Sequence, residues 1–156
     1  MNSQVNLIIA RLQETLDGDP WYGKSVYATL EGIDPGITNI RPGEQPHSAV
    51  DLIYHMLTWT EFTLKRIEGE KINDLEKFES LDWREIDPQI HGWEEAVNDF
   101  RQTNLQLIAA LADKPDEWLQ EKVDYRDYNF DTLLRGLIEH HIYHTGQINY
   151  LEKTLQ

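Results

Sequence analysis

The segment from about Asp131 to Leu155 constrains this chain most, because its apolar residues return at helical spacing and carry two histidines with them. A helix advances about 100° per residue, so His140 and His144 stand about 40° apart, one turn along. Gln147 returns to nearly the same azimuth, as do Leu133, Leu137 and Leu151. On this reading both imidazoles project from a stripe that faces inward. Two neutral imidazoles at i, i+4 can share one metal ion, the spacing logic of helical His-x-x-x-His zinc sites. Such a site needs a further protein ligand from another element.

The segment from Ser48 to about Glu68 offers one. Ser48 with Asp51 three residues on reads as a capping-box start, and Gly69 stands just past the end. Its dense apolar positions imply a helix with neighbours on several sides. His55 stands in its middle, flanked by Leu52, Trp59 and Phe62. Of the remaining histidines, His47 and His91 lie beside helix starts, where a solvated or capping role is expected. His141 could chelate with His144 at i, i+3, but it points about 100° away from His140, towards a helix boundary with Leu134, Ile138 and Ile148. Burying three separate imidazoles costs desolvation at each unless every nitrogen finds a partner, whereas one divalent ion pairs three at once. With no cysteine in the chain, any metal must be held by His, Asp or Glu.

The rest of the chain supplies the other walls. A first helix is expected from about Ser3 to Leu16, and Asp19-Pro20 reads as the start of a short aromatic helix ending near Gly32. Pro35, Gly36, Pro42 and Gly43 mark a loop. The polar link from about Glu70 to Asp87 is long enough to return to the start of the preceding helix, so the next helix is expected to run parallel to it. That next helix is expected to start at Asp87-Pro88 and to carry Ile90, Trp93, Val97, Phe100, Asn104, Leu107 and Leu111 on one stripe. Trp118 to Phe130 reads as loop or short hairpin. The expected fold is all-α, a single domain over residues 1–156 with four long helices and an additional short one.

A formal net charge of −14 argues against binding to nucleic acid, which depends on Lys and Arg displacing counterions, and against anionic membranes. The Leu7–Ala10 run is too short for a signal peptide, and no stretch has the length to span a bilayer. The default expectation is cytoplasmic. Exposed aromatics around Trp21 and Trp118 are expected to offer a contact patch for a homodimer.

The pattern His140-x-x-x-His144-x-Gly146-Gln147-Ile148, with His55 on an earlier helix, resembles the DinB/YfiT-like superfamily. The Trp21-Tyr22-Gly23-Lys24-Ser25 segment and the Trp118…Tyr128-Asn129-Phe130…Leu133-Leu134-x-Gly136 approach to the last helix are similar to it as well. The resemblance implies a four-helix bundle of up-down-down-up order. It also implies a divalent ion, often zinc or nickel, held by His55, His140 and His144. Thiol-dependent transferases acting with low-molecular-weight thiols occur in that superfamily, so the resemblance implies a small-molecule substrate, with a thiol-dependent S-transferase or detoxification enzyme as the leading reading.

Three imidazoles leave a divalent ion an open position, the pattern of catalytic rather than structural sites. Water there would ionise near neutral pH, and a thiol would become a thiolate. A metal-dependent hydrolase is therefore the alternative, and a stress protein that binds a metal or small molecule without turnover is the second alternative. A hydrolase would want a carboxylate base, and Glu139, Asp51 and Glu61 show no compelling register for it. Gln147, one turn past His144, is expected to hydrogen-bond a ligand residue or the bound molecule. Gly146 is expected to allow close helix packing.

Overall fold

The computed structural model describes residues 3–71 and 73–156, and its helices follow the apolar spacing: α1 (Ser3–Asp17), α2 (Val26–Gly32), α3 (Ala49–Glu68), α4 (Leu75–Leu81), α5 (Trp93–Ala112) and α6 (Phe130–Leu155). The fold is all-α. Among the described residues the nearest approach to a sheet is one isolated antiparallel bridge, Lys122 to Asn129. No helix among them is long and apolar enough to cross a membrane.

Helix α3 is the centre of the molecule. Ser48 accepts from Asp51 N, and the Asp51 carboxylate takes Ser48 N at 2.7 Å in return, which closes the capping box. Gly69 ends the helix at φ 77°, the left-handed conformation that glycine adopts without a Cβ clash. Between these stops, Val50, Ile53, Met56, Phe62 and Ile67 are all buried, because α3 packs against α4, α5 and α6. Tyr54 near its start approaches Gly92 at the start of α5, and Glu61 one stretch later neighbours Asp99. Both helices therefore run the same way, as the length of the link between them allows. Helix α6 runs opposite to α3: Leu52 shares a cleft with Gln147 and Leu151, while Phe62 shares another with Thr132 and Leu133.

Both Asp-Pro signals turn out to be turns rather than helix starts. At Asp19-Pro20 the chain makes a turn closed by Gly23 N donating to Pro20 O, with Gly23 at φ 145°, and α2 begins only after Ser25, whose hydroxyl accepts from Ala28 N. At Asp87-Pro88 the Asp87 side chain accepts from Gln89 N, and Asp87 O takes the amides of Ile90 and His91. The α5 stripe consequently starts at Trp93, and Ile90 is left exposed. An aspartate before proline satisfies a nearby amide in either geometry, so the dipeptide does not choose between them. The link also holds a short helix, α4, whose Phe78 packs edge-on to Phe62 with centroids 5.5 Å apart. Trp118, expected to be exposed, is buried and stacked on Phe130 at 4.0 Å. Of the patch expected to meet a second copy, Trp21 remains, fully exposed.

Candidate metal centre

Three histidines from two helices meet at the groove between α3 and α6. His55 Nε2 and His140 Nε2 lie 2.8 Å apart. The ring of His144 stands edge-on to both, with centroids 4.6 Å from His55 and 4.4 Å from His140. A donor nitrogen from each of the three falls within 4.8 Å of the others.

The helix places them differently from the expectation. The buried residues of α6 are Phe130, Leu134, Leu137, Ile138, His141, His144, Thr145, Ile148, Leu151 and Glu152, an arc that includes His144 and Leu151 but centres on His141 and not on the His140–Gln147 line. His141 is wholly buried beside Phe100, its Nε2 3.4 Å from Asn104 Oδ1. His144, buried, and His140, half-buried, lie along the edge of that arc, where α6 faces α3 and a cleft. This is a better place for a reactive centre, because the core proper has no route for a ligand.

Residues in the polar link complete the surroundings. Asp82, just after α4, lies 2.6 Å from His55 Nδ1, close but off the axis of a directed hydrogen bond, and it accepts from Trp59 Nε1 at 2.7 Å. Trp83 is sandwiched between His47 and His55, 3.8 Å from each ring centroid. Arg84 donates to Thr58 Oγ1 at 2.7 Å. Three consecutive residues thus clamp the link onto α3. Asp82 and Trp83 are not singled out by the sequence, where 70–87 reads as a polar connection; the signals present are Leu75, Phe78 and Leu81 at three-residue spacing, which form α4, and Trp83 just beyond them. His47, expected to be solvated, is instead the outer leaf of this stack. His91 does sit at a turn, where its Nδ1 accepts from Asp87 N at 2.8 Å.

Gln147 Oε1 lies 2.5 Å from His144 Nδ1, an acceptor that favours the proton on that nitrogen and the lone pair on Nε2. The Asp82 carboxylate favours the same tautomer at His55. Burial keeps these rings neutral: His140 is pushed down to about 2, with the nearby histidines adding to it, and His144 to about 4. His55 is lowered by burial too, against the opposing pull of Asp82.

Neutral rings aimed at one another are the donor set a divalent cation takes. Two lone-pair nitrogens 2.8 Å apart repel unless a proton or a cation lies between them. The cluster therefore fits a metal-binding protein.

A family profile described as the DinB superfamily matches residues 24–148. The chain belongs to the DinB superfamily. Comparison with curated proteins gives no match. The matched span of this DinB chain includes His55, His140, His144 and Gln147, as well as Asp82 and Trp83.

The other acids considered for base chemistry are engaged or turned away. Asp51 caps α3 and pairs with Arg41 at 2.9 Å. Glu61, raised by burial, neighbours Arg84 and Asp99 on the α5 side. Glu139 is exposed. Gly146 does not serve close packing, since a Cβ added there would meet nothing within 4 Å.

Proposed function

We propose that this DinB-superfamily protein is a metal-dependent S-transferase, with His55, His140 and His144 holding one divalent ion, zinc or nickel, and a low-molecular-weight thiol as co-substrate. The observation that carries the reading is a pair of unlike clefts, one lined by His140 and the other by Gln147, whose Oε1 meets His144. One, about 280 Å³, is apolar and reaches His140. The other, about 320 Å³, is lined by Gln45, His47, Tyr143, Gln147 and Tyr150 and is more polar. Transfer between two molecules needs two seats, whereas hydrolysis needs one seat and water.

A divalent ion bound there would lower the pKa of a coordinated thiol or water. The chain's own residues prepare the site in three ways. Burial holds the imidazoles neutral, so no proton has to leave them at neutral pH. Gln147 holds the tautomer of His144 from behind, and the Asp82 charge favours a proton on Nδ1 of His55. Trp83 covers the His55 face and limits water there. In the reaction class proposed, the thiol sulfur bonds to an electrophilic carbon, the leaving group departs with its electron pair, and the thiol proton passes to solvent.

Hydrolysis is the second reading. It is disfavoured because the nearest carboxylate, Asp82, already serves Trp59 and His55. A thiol co-substrate also favours the cytoplasm, where such thiols are kept reduced. The test is metal analysis of untagged protein, followed by thioether formation from several low-molecular-weight thiols and a reactive electrophile. About one metal per chain with metal-dependent transfer supports the reading. Metal with ester hydrolysis and no transfer favours the hydrolase, and a chain that takes up no metal overturns both.

A further inference from the structure

Gly136 stands in α6, one turn before His140, exposed and in ordinary helical conformation. A Cβ built on it would meet nothing within 4 Å. Neither backbone geometry nor close packing therefore calls for glycine, the poorest helix residue after proline. What the missing side chain leaves is room in the apolar cleft, which Gly136 lines together with His140.

The walls of that cleft are the rings of Trp59, Phe62 and Tyr128 and the side chains of Leu133 and Leu137. Among the described residues, no Asp, Glu, Lys or Arg lines it. Arg126 lies over the Trp59 and Phe62 rings, 5.8 and 5.3 Å from their centroids, and is outside the lining. The Thr63 hydroxyl is already bonded to Trp59 O at 2.8 Å. An anion seated against these rings would lose its water while the lining itself offers it no cation; the nearest one, Arg126, whose Nε is buried and unpartnered, stands outside the lining.

We propose that this cleft seats the uncharged apolar body of the substrate acted on at the histidine cluster, and that Gly136 sets how large that body can be. The inference rests on the reading that chemistry takes place at the cluster. An apolar cavity of about 150 Å³ takes benzene. The cleft, at about 280 Å³, suits one aromatic ring with a short chain, or two fused rings. Because His140 lies in the lining, a body seated this way brings its reactive end to the three imidazoles.

The test is a titration of the full chain with indole, toluene and benzoate, followed by two-dimensional amide and indole NMR, in wild type, Gly136→Ala and Gly136→Leu. Zinc stoichiometry is measured on the same samples. Indole and toluene should shift the Trp59 indole and the Thr132, Leu133 and Leu137 amides, with benzoate at least tenfold weaker. Gly136→Leu should weaken indole at least tenfold with zinc stoichiometry unchanged, and Gly136→Ala should weaken it less. If Gly136→Leu does not fold, Thr132→Leu, at an exposed lining position, carries the same expectation. Equal indole binding in the folded leucine variant, tighter benzoate than toluene, or no shifts at millimolar probe would overturn the proposal. Ring probes that bind and respond to these variants in a chain that takes up no zinc would support the cleft and overturn only the metal reading. Zinc uptake without probe binding would overturn the cleft alone.

Discussion

Asp82 lies 2.6 Å from Nδ1 of His55, and the same oxygen accepts the Trp59 indole N–H at 2.7 Å. A residue of the link between α3 and α5 thus stands behind an imidazole whose other nitrogen faces the cluster. A carboxylate in that position orients the ring and raises its basicity towards a cation. Asp82→Asn keeps the size and the indole contact but removes the charge. Its zinc affinity, measured by competition with a chromophoric chelator, should fall about 10- to 100-fold with unchanged helicity. Unchanged affinity would reject the positioning role.

The proposed ligand set makes a sharper prediction because a histidine outside it, His141, stands between His140 and His144 in the sequence. His140→Ala and His144→Ala should each lose most of the bound metal, as read by elemental analysis of dialysed protein. His141→Ala should keep the metal in its folded fraction. It should also destabilise the chain by about 2–4 kcal/mol in urea unfolding, since it empties a fully buried site beside Phe100. Loss of metal in His141→Ala at full helicity would move the site to the wrong side of α6.

The long helices and the histidine trio were legible in the sequence because both follow periodicity. The apolar repeat marks α1, α3, α5 and α6, and the i, i+4 spacing marks His140 and His144. Azimuth was less legible. Leu133, Leu137 and Leu151 and the set Leu134, Ile138, Ile148 lie within one residue step of each other, and only packing against Phe100 and Asn104 decides that His141 takes the centre. The Asp-Pro dipeptides misled because a turn and a helix start satisfy the same aspartate. Asp82 and Trp83 lie just past the Leu75, Phe78, Leu81 repeat of α4, and their role depends on where α4 sets the chain down.

Gly136 allows a prediction about stability that runs against its proposed role. In mid-helix, exposed and with an added Cβ in open space, Gly136→Ala should stabilise the protein by about 0.5–1 kcal/mol. For a chain of this size that is roughly a 1–4 °C rise in Tm. Differential scanning calorimetry checks it. A lower Tm would mean that glycine is kept there for structure, and the argument from empty space would fail.

The neutral imidazoles also set a pH dependence, whose sign follows from their direction of shift. Burial pushes His140 down to about 2, His141 to about 3 and His144 to about 4. In the unfolded chain each titrates near about 6.5. Between that value and the folded ones, the unfolded chain holds protons that the native chain lacks. Stability from these groups is therefore present above about pH 6.5 and is lost as the pH falls through the interval. A second effect acts the other way: a chain of net charge −14 repels itself less as it nears its isoelectric point of about 4.7. Comparing wild type with His141→Gln at each pH cancels that shared effect. Glutamine cannot ionise and can still reach Asn104. The urea midpoint of metal-free wild type should accordingly fall more steeply between pH 7 and pH 4.5 than that of the variant. Parallel lines across that range would show that His141 does not resist protonation in the fold, and would contradict its place at the centre of the buried stripe.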